Sequence, residues 1–365
     1  MNLVMIPLYS GKYVRYTKDR KVETGLQCSK DKIFYTSGNS IYWQKISSPG
    51  KENFLGKVPA SLATAFAGLL RHFIRISPDG KTVAWPGNVE LNVEIVDTKK
   101  SIKIFPPENY TIVHPAVWRT TSGEIFYMIH NSSTGDVQFR FRDLSKTKDS
   151  FAVSPLGKSI SSVTSFEAYF SPDGRFFAVN LDALTGKKKK LKRFFVLIDR
   201  NLKKIVPTNK KWKFERFHGF TSGSNLVFSG LGGGVRGAFK LYTGNKSVTI
   251  KRIEPLRGST VYGFFAGRKN LIFASRWKKC AKPRLESVTM WGKHKRLLKW
   301  TSWSEIISMD RHRTWALFRG GSGCNDKKPS LYLMRTDGSL LLRELPHARF
   351  YPLRKASPED ITLCD

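Results

Sequence analysis

Acidic residues are scarce in this chain: 28 Asp and Glu stand against 63 Lys and Arg in 365 residues, a formal net charge of +35. Such an imbalance repels itself and favours partners of negative charge. Long apolar runs are missing too. No stretch of about 18 uncharged apolar residues occurs, which excludes a helix that spans a bilayer. The longest candidate, Ala60 to Leu70, is broken by Arg71 and His72. Met1 to Tyr9 is apolar but lacks a basic leading segment and a small-residue cleavage signal, so a signal peptide is not expected. The expected location is cytoplasmic if the chain is complete, and periplasmic or secreted if a signal peptide has been removed. No His-x-x-x-His, His-Glu-x-x-His or Gly-x-Ser-x-Gly spacing is present, so the common zinc and serine-hydrolase signatures are absent. What the chain does have is 40% apolar and 13% aromatic residues, enough to bury a substantial core and to rule out wholesale disorder.

The apolar residues recur in a pattern. Ser77-Pro78-Asp79-Gly80 leads into Thr82-Val83-Ala84-Trp85, and Ser171-Pro172-Asp173-Gly174 leads into Phe176-Phe177-Ala178-Val179. Weaker copies keep the order of a polar turn and then β-forming residues, at Lys30-Asp31, Ser122-Gly123, Ser222-Gly223, Gly267-Arg268 and Asp310-Arg311. With Ile33, Val83, Ile125, Phe177, Val227, Ile272 and Ala316 as markers, there are seven copies at a mean spacing of about 47 residues. A second alternating strand follows each copy, beginning at Ile41, Val93, Val137, Phe194, Phe239, Val288 and Leu331, and gives the same count. A third strand often follows, as at Ser101–Phe105 and Ser247–Ile250. Several short strands per unit at a period in the forties are what a propeller blade requires, because one four-stranded sheet cannot cover both its faces. The spacing therefore predicts an all-β, seven-bladed β-propeller, with six or eight blades as alternatives. It covers residues 25–345, with terminal extensions at 1–24 and 346–365 that complete or clasp the ring.

Ser-Pro-Asp-Gly before an apolar strand, together with Pro115-Ala116-Val117-Trp118, resembles the repeat of TolB-like (PD40-type) β-propellers. The Gly-His and Trp-Asp pairs of WD40 repeats are missing, so the chain is WD40-like only in period. The resemblance implies a protein-interaction scaffold at a cell envelope that grips a peptide at its channel mouth.

In a blade, the loops between second and third strands share a face with the connections between blades, and the Asp-Gly turns lie on the other. That rule gathers the charge. The second-to-third loops carry Lys187, Lys188, Lys189, Lys190, Lys192 and Arg193 in blade 4, and Arg236 in blade 5. Blade 6 adds Arg276, Trp277, Lys278, Lys279, Lys282 and Arg284, and the connection entering blade 5 adds Lys210, Lys211, Trp212 and Lys213. The corresponding loops of blades 1–3 carry almost no positive charge. A basic crescent over blades 4–7 is the expected anion-binding site, for nucleic acid, an acidic protein, or an anionic glycan or lipid. The two tryptophans would stack on bases or grip an Arg.

Other constellations point to structure. The glycines at 232–234 and 320–323 precede strands rather than a helix, so they read as hairpin tips and not as a phosphate cradle. His72, His114 and His218 fall near the starts of inner strands. A metal site there, serving a propeller hydrolase or lactonase, is the least favoured alternative to a non-catalytic platform that needs no cofactor. Cys280 and Cys324 occupy corresponding loops of adjacent blades, and Cys28 and Cys364 lie near the two chain ends. Two disulfides in an oxidising compartment and four free thiols in a reducing one are both compatible with that spacing. A monomer is expected.

Overall fold

The computed structural model describes residues 31–65, 73–119, 123–146, 148–156, 160–186, 189–202, 204–206, 212–221, 223–243 and 248–253, with shorter stretches at 4–5, 14–15, 23–29, 257, 260–266, 270–276, 284–289, 295–300, 303–309, 315–321, 330–335 and 341–343. A small ribbon of β1 (Val4–Met5) and β2 (Val14–Arg15) precedes seven four-stranded antiparallel sheets. Sheet 1 contains β3 (Glu23–Ser29), β4 (Lys32–Ser37), β5 (Ser40–Lys45) and β6 (Asn53–Lys57). A short helix, α1 (Ala60–Ala65), leads to sheet 2, with β7 (Arg75–Ile76), β8 (Thr82–Pro86), β9 (Leu91–Ile95) and β10 (Lys100–Ile104). Sheet 3 contains β11 (Thr111–Trp118), β12 (Glu124–Asn131), β13 (Asp136–Asp143) and β14 (Phe151–Val153). Sheet 4 contains β15 (Ile160–Phe170), β16 (Phe176–Thr185), β17 (Lys190–Asp199) and β18 (Lys204–Ile205). Sheet 5 contains β19 (Trp212–Phe220), β20 (Leu226–Gly232), β21 (Val235–Thr243) and β22 (Val248–Arg252). Sheet 6 contains β23 (Thr260–Ala266), β24 (Asn270–Arg276), β25 (Arg284–Thr289) and β26 (Lys295–Trp300). Sheet 7 contains β27 (Trp303–Met309), β28 (Trp315–Gly321), β29 (Ser330–Arg335) and β30 (Leu341–Arg343).

In every sheet the strands lie side by side in chain order, so each is a simple meander. All seven marker residues fall in second strands. The strands reach further than the spacing predicts, so Lys190, Lys192 and Arg193 lie in β17, Trp212 and Lys213 in β19, Arg236 in β21, Arg276 in β24 and Arg284 in β25, in strands and not in loops. The chain divides into two compact units, one built from Met1–Ala168 with Val179–Ile205 and the other from Tyr169–Ala178 with Val206–Leu363.

The Ser-Pro-Asp-Gly turns are built alike. The Ser77 hydroxyl donates to Asp79 Oδ1 at 2.7 Å and accepts the Thr82 amide at 2.9 Å, while Asp79 Oδ1 also accepts the Lys81 amide at 3.1 Å. The second copy repeats each bond, with Ser171 serving Asp173 and the Phe176 amide and Asp173 accepting from Arg175. Gly80 and Gly174 adopt φ of 68° and 70°, a left-handed conformation that glycine takes without penalty. Thr221 substitutes for the serine in a shorter copy, its Oγ1 accepting the Asn225 amide at 3.2 Å. A hydroxyl at the first position, and in the two full copies a carboxylate two residues on, accept the amides that reverse the chain.

Within each unit, the described core clusters lie between successive sheets. In the first unit, Phe34, Ile41, Trp43 and Leu55 of sheet 1 pack with Ile76, Val83 and Trp85 of sheet 2. Ala84, Leu91 and Val93 on sheet 2 then meet Trp118, Ile125 and Tyr127 of sheet 3. In the second unit, Val227 and Ala238 of sheet 5 pack with Val261, Leu271 and Val288 of sheet 6. Every residue of β12 is buried, which explains the unbroken run Ile125-Phe126-Tyr127-Met128-Ile129: a strand covered on both faces does not alternate. Burying each such side chain contributes roughly 1.5–3 kcal/mol.

Polar ties fix the spacing. Trp85 Nε1 donates to Lys57 O, and Trp118 Nε1 to Arg75 O, each at 3.1 Å and each from one sheet to its predecessor. Buried Lys32, which opens β4, pairs with Asp97 beyond β9 at 3.1 Å. Buried Glu124, which opens β12, pairs with Arg119 at 3.3 Å and with Arg200 beyond β17.

Ser77→Ala and Ser171→Ala are each expected to lower stability by about 1–3 kcal/mol, because each leaves a buried amide without its acceptor. Urea unfolding midpoints measure this; midpoints unchanged in both variants would show that the turns do not depend on the hydroxyl.

Candidate functional site

The basic residues of sheet 4 sit at the hairpin joining β16 to β17. Lys189, Lys190, Lys192 and Arg193 are all exposed, and Lys189 lies in the turn with its amide donating to Gly186 O at 3.0 Å. Its φ of 46° is one that a non-glycine residue adopts at a cost of roughly 1 kcal/mol. Arg193 is held by Asp182, with Nε at 2.6 Å from Oδ1 and Nη2 at 2.7 Å from Oδ2. The Asp182 hydrogen bond raises the Arg193 pKa further, Asp182 and Glu167 adding Coulombic support against burial. Among the described residues Lys189, Lys190 and Lys192 make no ion pair.

On sheet 5 the register sets Lys213 opposite Leu231 and Leu231 opposite Arg236, so the three share one face across three strands. Arg236 Nη2 reaches Glu215 Oε1 at 2.8 Å on that face, and Lys213 is exposed without an ion pair among the described residues. Trp212 belongs to the opposite row and is half buried. Its ring stands 4.8 Å from that of Phe239 and so close to Gly232 that a Cβ there would lie 1.9 Å from it. Trp212 thus packs as part of the sheet. Gly233 and Gly234 follow at φ of 58° and 76°, the pair of left-handed residues that a tight hairpin needs.

Arg276 ends β24 and Arg284 opens β25, so they flank the corresponding hairpin of sheet 6. Lys187, Lys188, Lys210, Lys211, Trp277, Lys278, Lys279 and Lys282 lie outside the described residues, as do His72, Cys280, Cys324 and Cys364. Cys28 falls in β3, and neither disulfide pairing falls on described side chains. His114 lies in β11 and His218 is buried in β19. Among the described residues no group of three potential metal ligands occurs, and no helix is long and apolar enough to cross a membrane.

Sequence reasoning missed the carboxylates that engage the arginines. Asp182 precedes Arg193 by eleven residues and Glu215 precedes Arg236 by 21, separations whose meaning appears only with the strand register. It also missed the exposed Leu191 and Leu231 beside the lysines, at 64% and 37% exposure.

No family model matches this chain, and no curated protein does. Solved structures do. A prolyl endopeptidase matches over 88% of this chain and 49% of its own, with a TM-score of 0.56 at 14% identity. The fold is that of a β-propeller. Prolyl oligopeptidase B from Galerina marginata matches over 89% of this chain and 50% of its own, with a TM-score of 0.54 at 11% identity. The chain thus spans about half the length of these peptidases. TolB from Acinetobacter baumannii matches over 88% of this chain and 78% of its own, at 14% identity and a TM-score of 0.41. At these identities the likeness concerns the fold alone and carries neither an activity nor a partner to this chain.

Two predictions follow from the geometry. Gly232→Ala is expected to lower stability by about 1–3 kcal/mol, since the methyl group would overlap the Trp212 indole; an unchanged thermal midpoint would refute that contact. Burial, and then the charge of Arg216, push the His218 imidazole down to a pKa of about 3. The unfolded chain therefore takes up a proton near pH 6.5 that the folded one refuses, and stability falls as pH drops from there towards 3, by up to about 1.4 kcal/mol per pH unit. Denaturant midpoints of His218→Gln should fall less between about pH 7 and pH 4 than those of the parent chain.

Proposed function

We propose that this chain is a non-catalytic propeller scaffold whose basic hairpin ends engage an anionic partner by charge. The observation that carries this reading is a division of labour among its cations. Arg193 and Arg236 are committed to Asp182 and Glu215, whereas Lys189, Lys190, Lys192 and Lys213 are exposed and, among the described residues, free of ion pairs. Paired guanidinium groups are poorly placed for planar recognition of a base or carboxylate, and exposed ammonium groups act as point charges on flexible stems. A left-handed lysine at 189 supports the same reading, since glycine would suit that backbone better and would bring no charge. Lys187, Lys188, Lys210, Lys211, Lys278, Lys279 and Lys282 belong to the same set of charges by sequence position, and the net charge of +35 adds to the attraction of each hairpin.

Binding of a labelled single-stranded oligonucleotide and of polyglutamate, each titrated with salt, tests this reading. If about four phosphates are neutralised, log K should fall with log salt at a slope of about −3. Replacement of Lys189, Lys190 and Lys192 by Glu should flatten that slope and lower affinity at least about tenfold. Affinity independent of salt, or unaffected by the three reversals, would overturn the electrostatic reading. Lys189→Gly should raise stability by about 0.5–1 kcal/mol while weakening binding.

A further inference from the structure

Three apolar side chains meet solvent at one end of the first compact unit. Among the described residues the most exposed large apolar side chains are Val89, Leu191 and Phe105, at 65%, 64% and 59%. Val89 lies in the hairpin joining β8 to β9, and Phe105 follows Ile104, which pairs with Leu91 on the far side of that hairpin. Leu191 is the second residue of β17, just past the hairpin from β16. Local bonds set these hairpins side by side. Tyr110, on the connection after Phe105, donates to Asp136 Oδ2 at 2.7 Å in the hairpin end of sheet 3. The Ile160 amide donates to Gly135 O in that hairpin at 3.1 Å, and the Ser161 hydroxyl to Leu184 O at 2.9 Å beside the hairpin of sheet 4. One exposed apolar side chain is ordinary, whereas three gathered at one end mark a contact surface. Cations accompany them. Exposed Lys189, Lys190 and Lys192 flank Leu191. At sheet 2, Lys57 and Lys103 are balanced by Glu90 and Glu108, so the surplus of positive charge sits around Leu191.

We infer that this end of the unit rests on an anionic lipid bilayer, with Leu191, Val89 and Phe105 inserted at headgroup depth and the lysines around Leu191 held by lipid phosphates and carboxylates. A bilayer rewards both halves of the pattern: the lysines are drawn to its negative surface, and the apolar side chains they deliver are buried in its boundary. Lysine suits the position, since its stem lies along apolar material while the ammonium stays among the headgroups. Competing occupants use less of what is there. The phosphates of a nucleic acid offer nothing to a leucine between lysines. An acidic protein would need separate pockets for side chains on hairpins with a whole sheet between them, whereas a fluid bilayer receives side chains at any spacing. This inference rests on the reading of the chain as a polyanion platform and narrows it: the polyanion is a lipid surface, and charge supplies only part of the attraction.

The test uses the full chain in co-sedimentation with vesicles of phosphatidylcholine alone and of phosphatidylcholine and phosphatidylserine in equal parts, with the labelled single-stranded oligonucleotide and polyglutamate as soluble comparators. The mixed vesicles should bind at least about tenfold more tightly than the neutral ones, and less tightly as salt rises. Leu191→Ser should weaken binding to the mixed vesicles at least about fivefold and leave oligonucleotide affinity unchanged, and Val89→Ser with Phe105→Ser should do the same. Lys190→Glu with Lys192→Glu should lose vesicles and oligonucleotide alike, its fold checked by circular dichroism. Brominated acyl chains should quench the fluorescence of Leu191→Trp more than that of the parent chain. Vesicle binding indifferent to all the serine variants, or binding of a soluble polyanion without binding of the mixed vesicles, overturns the bilayer contact and leaves the platform standing. An equal loss of vesicles and oligonucleotide in Leu191→Ser does the same, since it marks the leucine as structural. Binding of no probe at all overturns both.

Discussion

An isolated four-stranded sheet of this composition has two apolar faces and no means of hiding both. That single constraint shapes most of the molecule. β12 is buried along its whole length because sheets 2 and 4 flank sheet 3 in the meander order, and the Phe34–Val83 and Ala84–Ile125 layers are where successive sheets cancel each other's exposure. The turns are subordinate to this packing. Ser77, Asp79 and Gly80 form a compact reversal that accepts the Gly80, Lys81 and Thr82 amides locally, so the strand that follows enters the core with its first donors satisfied.

The same constraint separates structural from chemical residues. Much of each sheet face is enclosed by neighbours, and solvent is met at hairpins, strand ends and the exposed rows of strands such as β15. Trp212 illustrates the boundary: its position beside Lys213 suggests a surface platform, but its place in the register puts its ring over Gly232 and against Phe239. Lys213, one residue on, falls on the opposite face with Leu231 and Arg236. Neighbours in sequence are thus assigned opposite duties by the two-residue period of the strand.

The fold was legible because its signal is repeated. Polar reversals followed by apolar strand residues recur often enough that five weak copies support the two Asp-Gly ones, and all seven markers lie in second strands. The charged segments were less legible, since Lys190, Lys192 and Arg193 read as a loop by their charge and yet belong to β17. What could not be read was pairing across strands. Asp182 with Arg193 and Glu215 with Arg236 depend on register, which composition and spacing do not encode. The buried state of His218 was hidden as well: the spacing places it near the start of an inner strand, whereas it is the seventh of the nine residues of β19, on a buried stretch of it.

One pair of contacts has an implication for assembly order. At matching positions, sheet 1 offers a lysine to an aspartate of sheet 2, while sheet 3 offers a glutamate to an arginine of sheet 4. The polarity is inverted between the two junctions. If a sheet docked out of turn, Lys32 would confront Arg200, or Glu124 would confront Asp97, so that a buried lysine or glutamate would meet a like charge instead of an opposite one. At these two junctions the buried charge thus favours the observed neighbour over the other one.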